Sequence, residues 1–96
     1  MYISIRKYKV TSPDELAKRV NAGFLPIISK GPGFIAYYVL NAGNNVSASI
    51  SIFETQAGAE ESNKMAADWV SKNIAELITG GAPEITAGEV SVSSGK

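Results

Sequence analysis

The sequence of 96 residues contains no cysteine and no histidine. The lack of cysteine excludes disulfide bonds and thiol nucleophiles, and the lack of histidine excludes imidazole metal sites and histidine-dependent triads. Charge is scarce and balanced, because nine Lys and Arg residues are matched by nine Asp and Glu residues. With no net charge there is no long-range field to attract nucleic acid or an anionic membrane, so we expect neither as a partner.

Long hydrophobic runs are also missing. No apolar run approaches the roughly 18 residues of a membrane-spanning helix, and charges interrupt the start MYISIRKYKV where a signal peptide needs its apolar core. We therefore expect a cytoplasmic protein. The chain has the length of one domain, and its side chains are 45% hydrophobic but only 19% charged. Since a small monomer cannot easily bury so much apolar surface, the composition predicts a homodimer.

Alternation of side chains predicts the strands. The segment VSASISIFE, residues 46–54, has the period of two that is typical of a strand, and both of its faces are small or apolar. Tyr2–Val10 is predicted as the first strand, with Ile3 and Ile5 on one face and Arg6 on the other. Either the apolar side chains move from one face to the other along this strand, or a bulge near Arg6 redirects the side chains.

Capping residues and helical spacing predict two helices. Ser12 is an N-cap followed by proline, with Glu15 placed to complete a capping box. Gly23 weakens this first helix and Pro26 lacks the amide that would bond to residue 22, so we expect a kink or a break near Gly23. The second helix follows the Thr-Gln-Ala-Gly corner, residues 55–58, and is predicted to end at Gly80.

The second helix carries the one tryptophan of the sequence, Trp69. Trp69 and Asn73 are one helical turn apart on a flank of the apolar stripe, and Met65 lies beyond them. This flank is the candidate pocket wall. The apolar stripe itself consists of Ala66, Val70, Ile74 and Leu77.

The order of the predicted elements indicates the fold class. A continuous apolar run, residues 34–40, predicts the second strand, a turn over residues 41–45 joins it to the third, and residues 85–92 form the last. The resulting order is βαββαβ, which predicts an α+β ferredoxin-like fold with a four-stranded antiparallel sheet and both helices on one face. A second subunit would cover the other face, giving a dimeric α/β barrel.

Several short motifs resemble one known group across nearly the whole chain, which would make residues 1–96 a single domain of that kind. They are Arg6-Lys7-Tyr8, Pro32-Gly33-Phe34 with Tyr37-Tyr38, Phe53-Glu54-Thr55 before AGAEE, and Ala67-Asp68-Trp69-Val70. The sequence is similar in these motifs to the antibiotic biosynthesis monooxygenase-like proteins of the dimeric α/β barrel superfamily. The resemblance implies a pocket between the helices and the sheet of each subunit. Haem-degrading relatives use a histidine and a first-strand asparagine that this chain lacks, which argues against that reaction.

Oxygenation without a cofactor needs an apolar pocket, a group that favours an ionised substrate, and donors for a developing oxyanion. The resemblance implies no cofactor. The predicted catalytic residues are Arg6, Trp69 and Asn73, and the predicted substrate-binding residues are Tyr8, Phe24, Tyr37, Tyr38 and Met65. Each has a structural alternative, such as an ion pair for Arg6, packing for the aromatic residues, and a cap or solvent exposure for Asn73.

Two functions stay open at this point. The first is an oxidoreductase, a cofactor-independent monooxygenase that acts on an aromatic or polyketide-type small molecule. The alternative is a non-catalytic dimeric module that binds a small apolar ligand. The observation that separates them is whether Arg6, Trp69 and Asn73 converge on one enclosed cavity.

Overall fold

Four antiparallel strands form the sheet in the computed structural model, which describes residues 1–95. The strands lie in the order β2-β3-β1-β4, and all helical segments pack on one face of the sheet. This arrangement confirms the predicted α+β ferredoxin-like fold. The strands are β1 (Tyr2–Lys9), β2 (Phe34–Gly43), β3 (Val46–Phe53) and β4 (Glu84–Glu89).

β1 is a regular strand between β3 and β4, and no register shift interrupts either pairing. Ser4, Arg6 and Tyr8 are buried under the helices, while Ile3 and Ile5 lie half-buried on the opposite face. Of the two alternatives for this strand, the change of apolar face is therefore correct and the bulge near Arg6 is wrong. The regular pleat is what directs Arg6 into the interior.

The first helical segment begins as predicted. Ser12 accepts a hydrogen bond from the Glu15 amide at 3.2 Å, and α1 (Pro13–Arg19) follows it. The predicted break near Gly23 is confirmed as a π-helical turn over residues 20–24, before the short helix α2 (Leu25–Ile28). The wider turn fits a segment in which Pro26 cannot donate an amide hydrogen bond.

The second long helix ends earlier than predicted. Thr55 is the N-cap of α3 (Gln56–Asn73). Its hydroxyl accepts a hydrogen bond from the Gly58 amide at 3.1 Å. Ile74 leaves the helical conformation with φ −135°, and a 3₁₀ turn occupies residues 75–77. The predicted end at Gly80 is therefore wrong.

Pairing with β1 explains this early end. The Thr11 amide donates to the Leu77 carbonyl and the Thr79 amide donates to the Lys9 carbonyl, each at 2.8 Å. These bonds hold the segment after α3 extended against the end of β1, which stops the helix from continuing. The local helical pattern contains no sign of this long-range pairing.

Two strand boundaries also differ from the prediction. β2 continues past residue 40 to Gly43, because the hairpin reverses only at Asn44 and Asn45, both with positive φ. β4 ends at Glu89, which pairs with Tyr2, the first residue of β1, and beyond it a bond from the Val90 amide to the Met1 carbonyl at 2.9 Å is the last one between the two segments. The predicted ends at residues 40 and 92 are corrected accordingly.

The two faces of the sheet differ in whether helices pack on them. The helix-side face and the helices enclose the core, whereas the opposite face, here called the outer face, has no covering element among residues 1–95. No helix within those residues is long and apolar enough to cross a membrane. The outer face carries half-buried Ile3, Ile5, Ile50 and Ile52 and exposed Tyr38 and Leu40.

Candidate functional site

Arg6 lies in the interior between the sheet and α3, with only 1% of its surface exposed. Its Nη1 donates a hydrogen bond to Asn63 Oδ1, and its Nη2 donates to Ser51 Oγ at 2.8 Å. Ser4 Oγ donates to the same Asn63 oxygen at 2.7 Å. The small serine side chains of β1 and β3 leave the space that the guanidinium occupies.

The positive charge of Arg6 has no counterion within residues 1–95. The ion pairs of that part of the chain involve Arg19, Lys72 and the N-terminal amine, and none includes Arg6. Arg6 Nε has no hydrogen-bond partner, and the buried Ser49 Oγ has none either. An unpaired buried polar group costs about 1–3 kcal/mol, and more when it is charged, so these two atoms mark a place where the fold accepts an energetic cost.

A small space, here called the inner cavity, lies beside these two residues. It is lined by Arg6, Ser49, Phe24, Tyr37 and Trp69 together with Tyr8 and apolar side chains of α1, α3 and the sheet. Its free volume is ≈ 20 Å³. That volume holds roughly one water molecule, so the inner cavity is too small for an aromatic ring.

Aromatic side chains form one wall of the inner cavity. The ring centroid of Phe24 lies 5.7 Å from that of Tyr37, in an edge-to-face arrangement, and 5.6 Å from that of Trp69. Gly23 allows this packing, because a Cβ atom there would lie 2.8 Å from Trp69 Cζ2. The π-helical turn and the indole therefore fit together only with glycine at this position.

A larger open space, here called the outer groove, lies between α3 and the segment that leads into β4. Its volume is ≈ 370 Å³, within the usual range of about 300–1,000 Å³ for sites that bind small molecules. Arg6, Tyr8 and Val70 line both the outer groove and the inner cavity. The remaining walls of the groove are mainly apolar and include Ala67, Ile78, Pro83 and Ile85, with Asn63 and Ser71 as polar members.

The predicted site residues divide into two groups. Arg6, Tyr8, Phe24, Tyr37 and Trp69 line the inner cavity. Tyr38, Met65 and Asn73 line neither space.

The three residues outside these spaces have other surroundings. Tyr38 is 57% exposed and lies on the outer face, and Met65 packs at the edge of the core. Asn73 is exposed at the last residue of α3, where its Nδ2 donates to the Trp69 carbonyl at 2.9 Å. The structure therefore brings Arg6 and Trp69 to one cavity but places Asn73 elsewhere.

Asn63 and Ser51 are the site residues that the sequence prediction missed. Asn63 lies three residues before Ala66 and seven before Val70, so helical spacing puts it on the same side of α3 as the apolar stripe. A polar side chain at such a position was the available signal. Ser51 belongs to a segment whose two faces were described only as small or apolar, and its bond to Arg6 depends on the pairing of β1 with β3.

The two phenols of the inner cavity are harder to ionise than free tyrosine. Burial is the main effect and raises the pKa of both Tyr8 and Tyr37, while the nearby Arg6 charge offsets part of each rise. Ser49 also offsets part of the rise at Tyr37, although its hydroxyl lies outside hydrogen-bond geometry. At neutral pH both side chains are therefore neutral phenols that can donate or accept a hydrogen bond.

These shifts predict a loss of stability in alkali. Above the ordinary tyrosine value of 10.0, the unfolded chain releases phenolic protons that the folded protein keeps, so the free energy of unfolding falls as pH rises. Tyr37→Phe is expected to reduce this fall, whereas Tyr38→Phe, a change at the exposed neighbour, leaves it unchanged. Urea unfolding from about pH 8 to pH 11 measures the effect, and equal slopes for the two variants would contradict it.

A ferredoxin-like fold with a cavity between the sheet and the helices is an arrangement that other solved structures also show. No protein-family model matches the chain, and no curated protein matches it. Within residues 1–95 no cluster of three or more acidic side chains is arranged to hold a metal ion.

Three solved structures share this fold along nearly their whole lengths. A protein of unknown function from Nitrosomonas europaea is 19% identical with a TM-score of 0.79, covering 99% of this chain and 93% of its own. A monooxygenase from Streptomyces coelicolor, solved with nanaomycin D, is 12% identical with a TM-score of 0.77, covering 99% and 91%. SnoaB, a cofactor-independent oxygenase from Streptomyces nogalater, is 14% identical with a TM-score of 0.72, covering 96% and 94%. These likenesses confirm the predicted resemblance at the level of the fold.

Proposed function

We propose that this protein is a cofactor-independent monooxygenase that acts on an aromatic or polyketide-type small molecule. The observation that carries the proposal is the buried Arg6 guanidinium, which has no counterion within residues 1–95, beside a small cavity with an aromatic wall. Fixed donors in a site shielded from water stabilise a developing oxyanion strongly, and they need no rearrangement during the reaction. The similar folds of two oxygenases from Streptomyces add support.

The reaction needs no reductant beyond its substrate. An enol or phenol gives up its proton to solvent, and the resulting anion reacts with O₂ at a ring carbon to form a hydroperoxide after the proton returns. The hydroperoxide then loses water. A CH₂ group of the keto tautomer thus becomes a C=O group, one oxygen atom enters the product, and the other leaves as water. Arg6 would hold the anion, and the apolar surroundings would exclude bulk water from it.

Oxygen uptake tests this function. With a panel of naphthols and anthrones, we expect consumption of O₂ and one isotope-labelled oxygen atom in each product molecule when labelled O₂ is supplied. Ala67→Phe is expected to lower kcat/KM about tenfold, because the larger side chain fills part of the outer groove, which has the volume for a ring. Lys18→Met, an exposed change on α1 that lies away from both spaces and from the outer face, serves as the matched control and keeps full activity.

A second function is favoured by the position of Asn73 outside the inner cavity and by the small size of that cavity. Because its volume of ≈ 20 Å³ excludes a ring, a non-catalytic dimeric module that binds a small apolar ligand in the outer groove also fits the structure. Tight ligand binding without oxygen uptake across the whole panel would reject the monooxygenase and support this module.

We also propose that two copies of the chain pair through their outer faces. The isoleucines there are half-buried with no cover from the chain itself, and burying such a face is favourable by about 25 cal/mol per Å² of apolar surface. Sedimentation at micromolar concentration is expected to show a dimer, and Ile50→Lys is expected to give a monomer. Ile27→Lys, at an exposed isoleucine on α2, keeps the dimer. A wild-type monomer at that concentration would contradict this pairing.

A further inference from the structure

The surface of the inner cavity belongs almost entirely to apolar atoms. The first helical segment contributes Leu16 and Phe24, and α3 with the residue after it contributes Ala66, Trp69 and Ile74. Four of these side chains are buried and Trp69 is half-buried. Small cavities with apolar walls stay dry and bind small apolar molecules such as xenon. The character of the wall therefore favours an apolar occupant.

The polar atoms near the inner cavity offer little to a water molecule. Arg6 Nε and Ser49 Oγ have no hydrogen-bond partner within residues 1–95, but neighbouring atoms cover both, and they add almost no surface to the cavity. A buried water molecule usually makes roughly two to four hydrogen bonds. Because this wall presents so few polar atoms, a water molecule there would leave most of its hydrogen bonds unmade.

The inner cavity lies between two open grooves. The outer groove shares Arg6, Tyr8 and Val70 with it. A second groove of ≈ 250 Å³, here called the side groove, runs between the first helical segment and β2. The residues that line both the side groove and the inner cavity are Val20, Tyr37 and Val39. A small molecule that enters from the side groove therefore does not have to pass a ligand in the outer groove.

We propose that the inner cavity is a binding site for dioxygen and that the organic substrate occupies the outer groove. This inference rests on the proposed function for the identity of the gas, and it goes beyond that function by giving the two reactants separate sites. Dioxygen is small and apolar, and a volume of ≈ 20 Å³ admits it but excludes a ring. The volume of the outer groove, ≈ 370 Å³, admits a ring system.

Xenon tests the gas site in the wild-type protein. It is apolar, it binds in dry protein cavities, and its many electrons make a single bound atom visible in a crystal structure. In crystals held under xenon pressure, we expect one atom in the inner cavity, in contact with Phe24 and Trp69. An ordered water molecule in the inner cavity and no xenon there would overturn the inference, as would xenon bound only at other places.

Two neighbouring alanines of α3 separate the two proposed sites. Ala66 lines the inner cavity and Ala67 lines the outer groove. Ala66→Val adds two methyl groups to the cavity wall, so we expect it to exclude xenon and to lower kcat/KM for dioxygen about tenfold, with KM for the organic substrate unchanged. Ala67→Phe is expected to raise KM for the organic substrate and to leave the xenon site occupied. Lys18→Met is the control and changes neither quantity.

The kinetic result also distinguishes a reactant site from a defect in packing. If Ala66→Val excludes xenon but leaves kcat/KM for dioxygen unchanged, the cavity is only a void and the inference fails.

The outcome is separable from that of the oxygenase proposal. Xenon in the inner cavity of a protein that consumes no oxygen would reject the monooxygenase and leave a site for small apolar gases. Oxygen uptake by a protein whose inner cavity holds an ordered water molecule would do the reverse.

Discussion

Arg6→Met is expected to abolish ligand binding and oxygen uptake while it makes the folded protein more stable. Loss of an oxyanion donor commonly lowers kcat about 10²- to 10³-fold, and Arg6 is the one cation of the inner cavity as the structure describes it. Methionine fills much of the same space and removes a charge that costs several kcal/mol to bury. We expect a gain of about 1–2 kcal/mol in the free energy of unfolding, after allowing for the hydrogen bonds lost at Ser51 and Asn63.

Urea unfolding with Lys18→Met as the control measures this change. Lys18 is exposed on α1, away from the outer face, so its replacement should alter the free energy of unfolding by less than about 0.5 kcal/mol. A marked loss of stability in Arg6→Met would instead show that the guanidinium is a structural member of the core.

Asn63→Leu is expected to have the opposite effect on stability. The change removes the acceptor of both Arg6 Nη1 and Ser4 Oγ, and it leaves the buried guanidinium with Ser51 as its remaining protein partner. Because a hydrogen bond to a charged group contributes about 1.5–3 kcal/mol, we expect a loss of about 2–4 kcal/mol. Asn73→Leu is the matched control on the same helix, since Asn73 is exposed and its replacement should change little.

The double variant Arg6→Met with Asn63→Leu separates a charge effect from a packing effect. Once the guanidinium is gone, the loss of the Asn63 oxygen leaves only Ser4 without its partner. We therefore expect most of the stability lost in Asn63→Leu to return, with a coupling energy of at least about 1 kcal/mol. Strict additivity would show that the two side chains do not depend on each other.

Local patterns were sufficient to predict most of the fold. The alternation over residues 46–54, the cap at Ser12 and the break near Gly23 are each determined by a few neighbouring residues, and each appears in the structure. The end of α3 and the end of β4 depend on pairing with β1, which is distant in sequence. In the sequence, the helical or strand-like pattern continues beyond the residue at which pairing with a distant strand ends the helix or strand.

The site was less predictable for a related reason. Strand alternation and helical spacing indicated Arg6 and Trp69, which line one cavity. The Arg6 partners belong to β3 and α3, and their assembly requires the complete fold. Asn73 follows Trp69 by one turn, but the helix ends at that residue and its side chain bonds to the backbone instead.

A crystal structure of the protein with bound para-nitrophenolate tests the central claim most directly. The account predicts the phenolate oxygen about 2.7–2.9 Å from a guanidinium nitrogen of Arg6, as is usual for a hydrogen bond between ions, with the ring in the outer groove against Val70 and Ile85. Arg6 should keep its bonds to Asn63 and Ser51. A ring bound away from Arg6, or a protein carboxylate paired with Arg6 Nε in the assembled dimer, would contradict the claim that this cation is held for an anionic ligand.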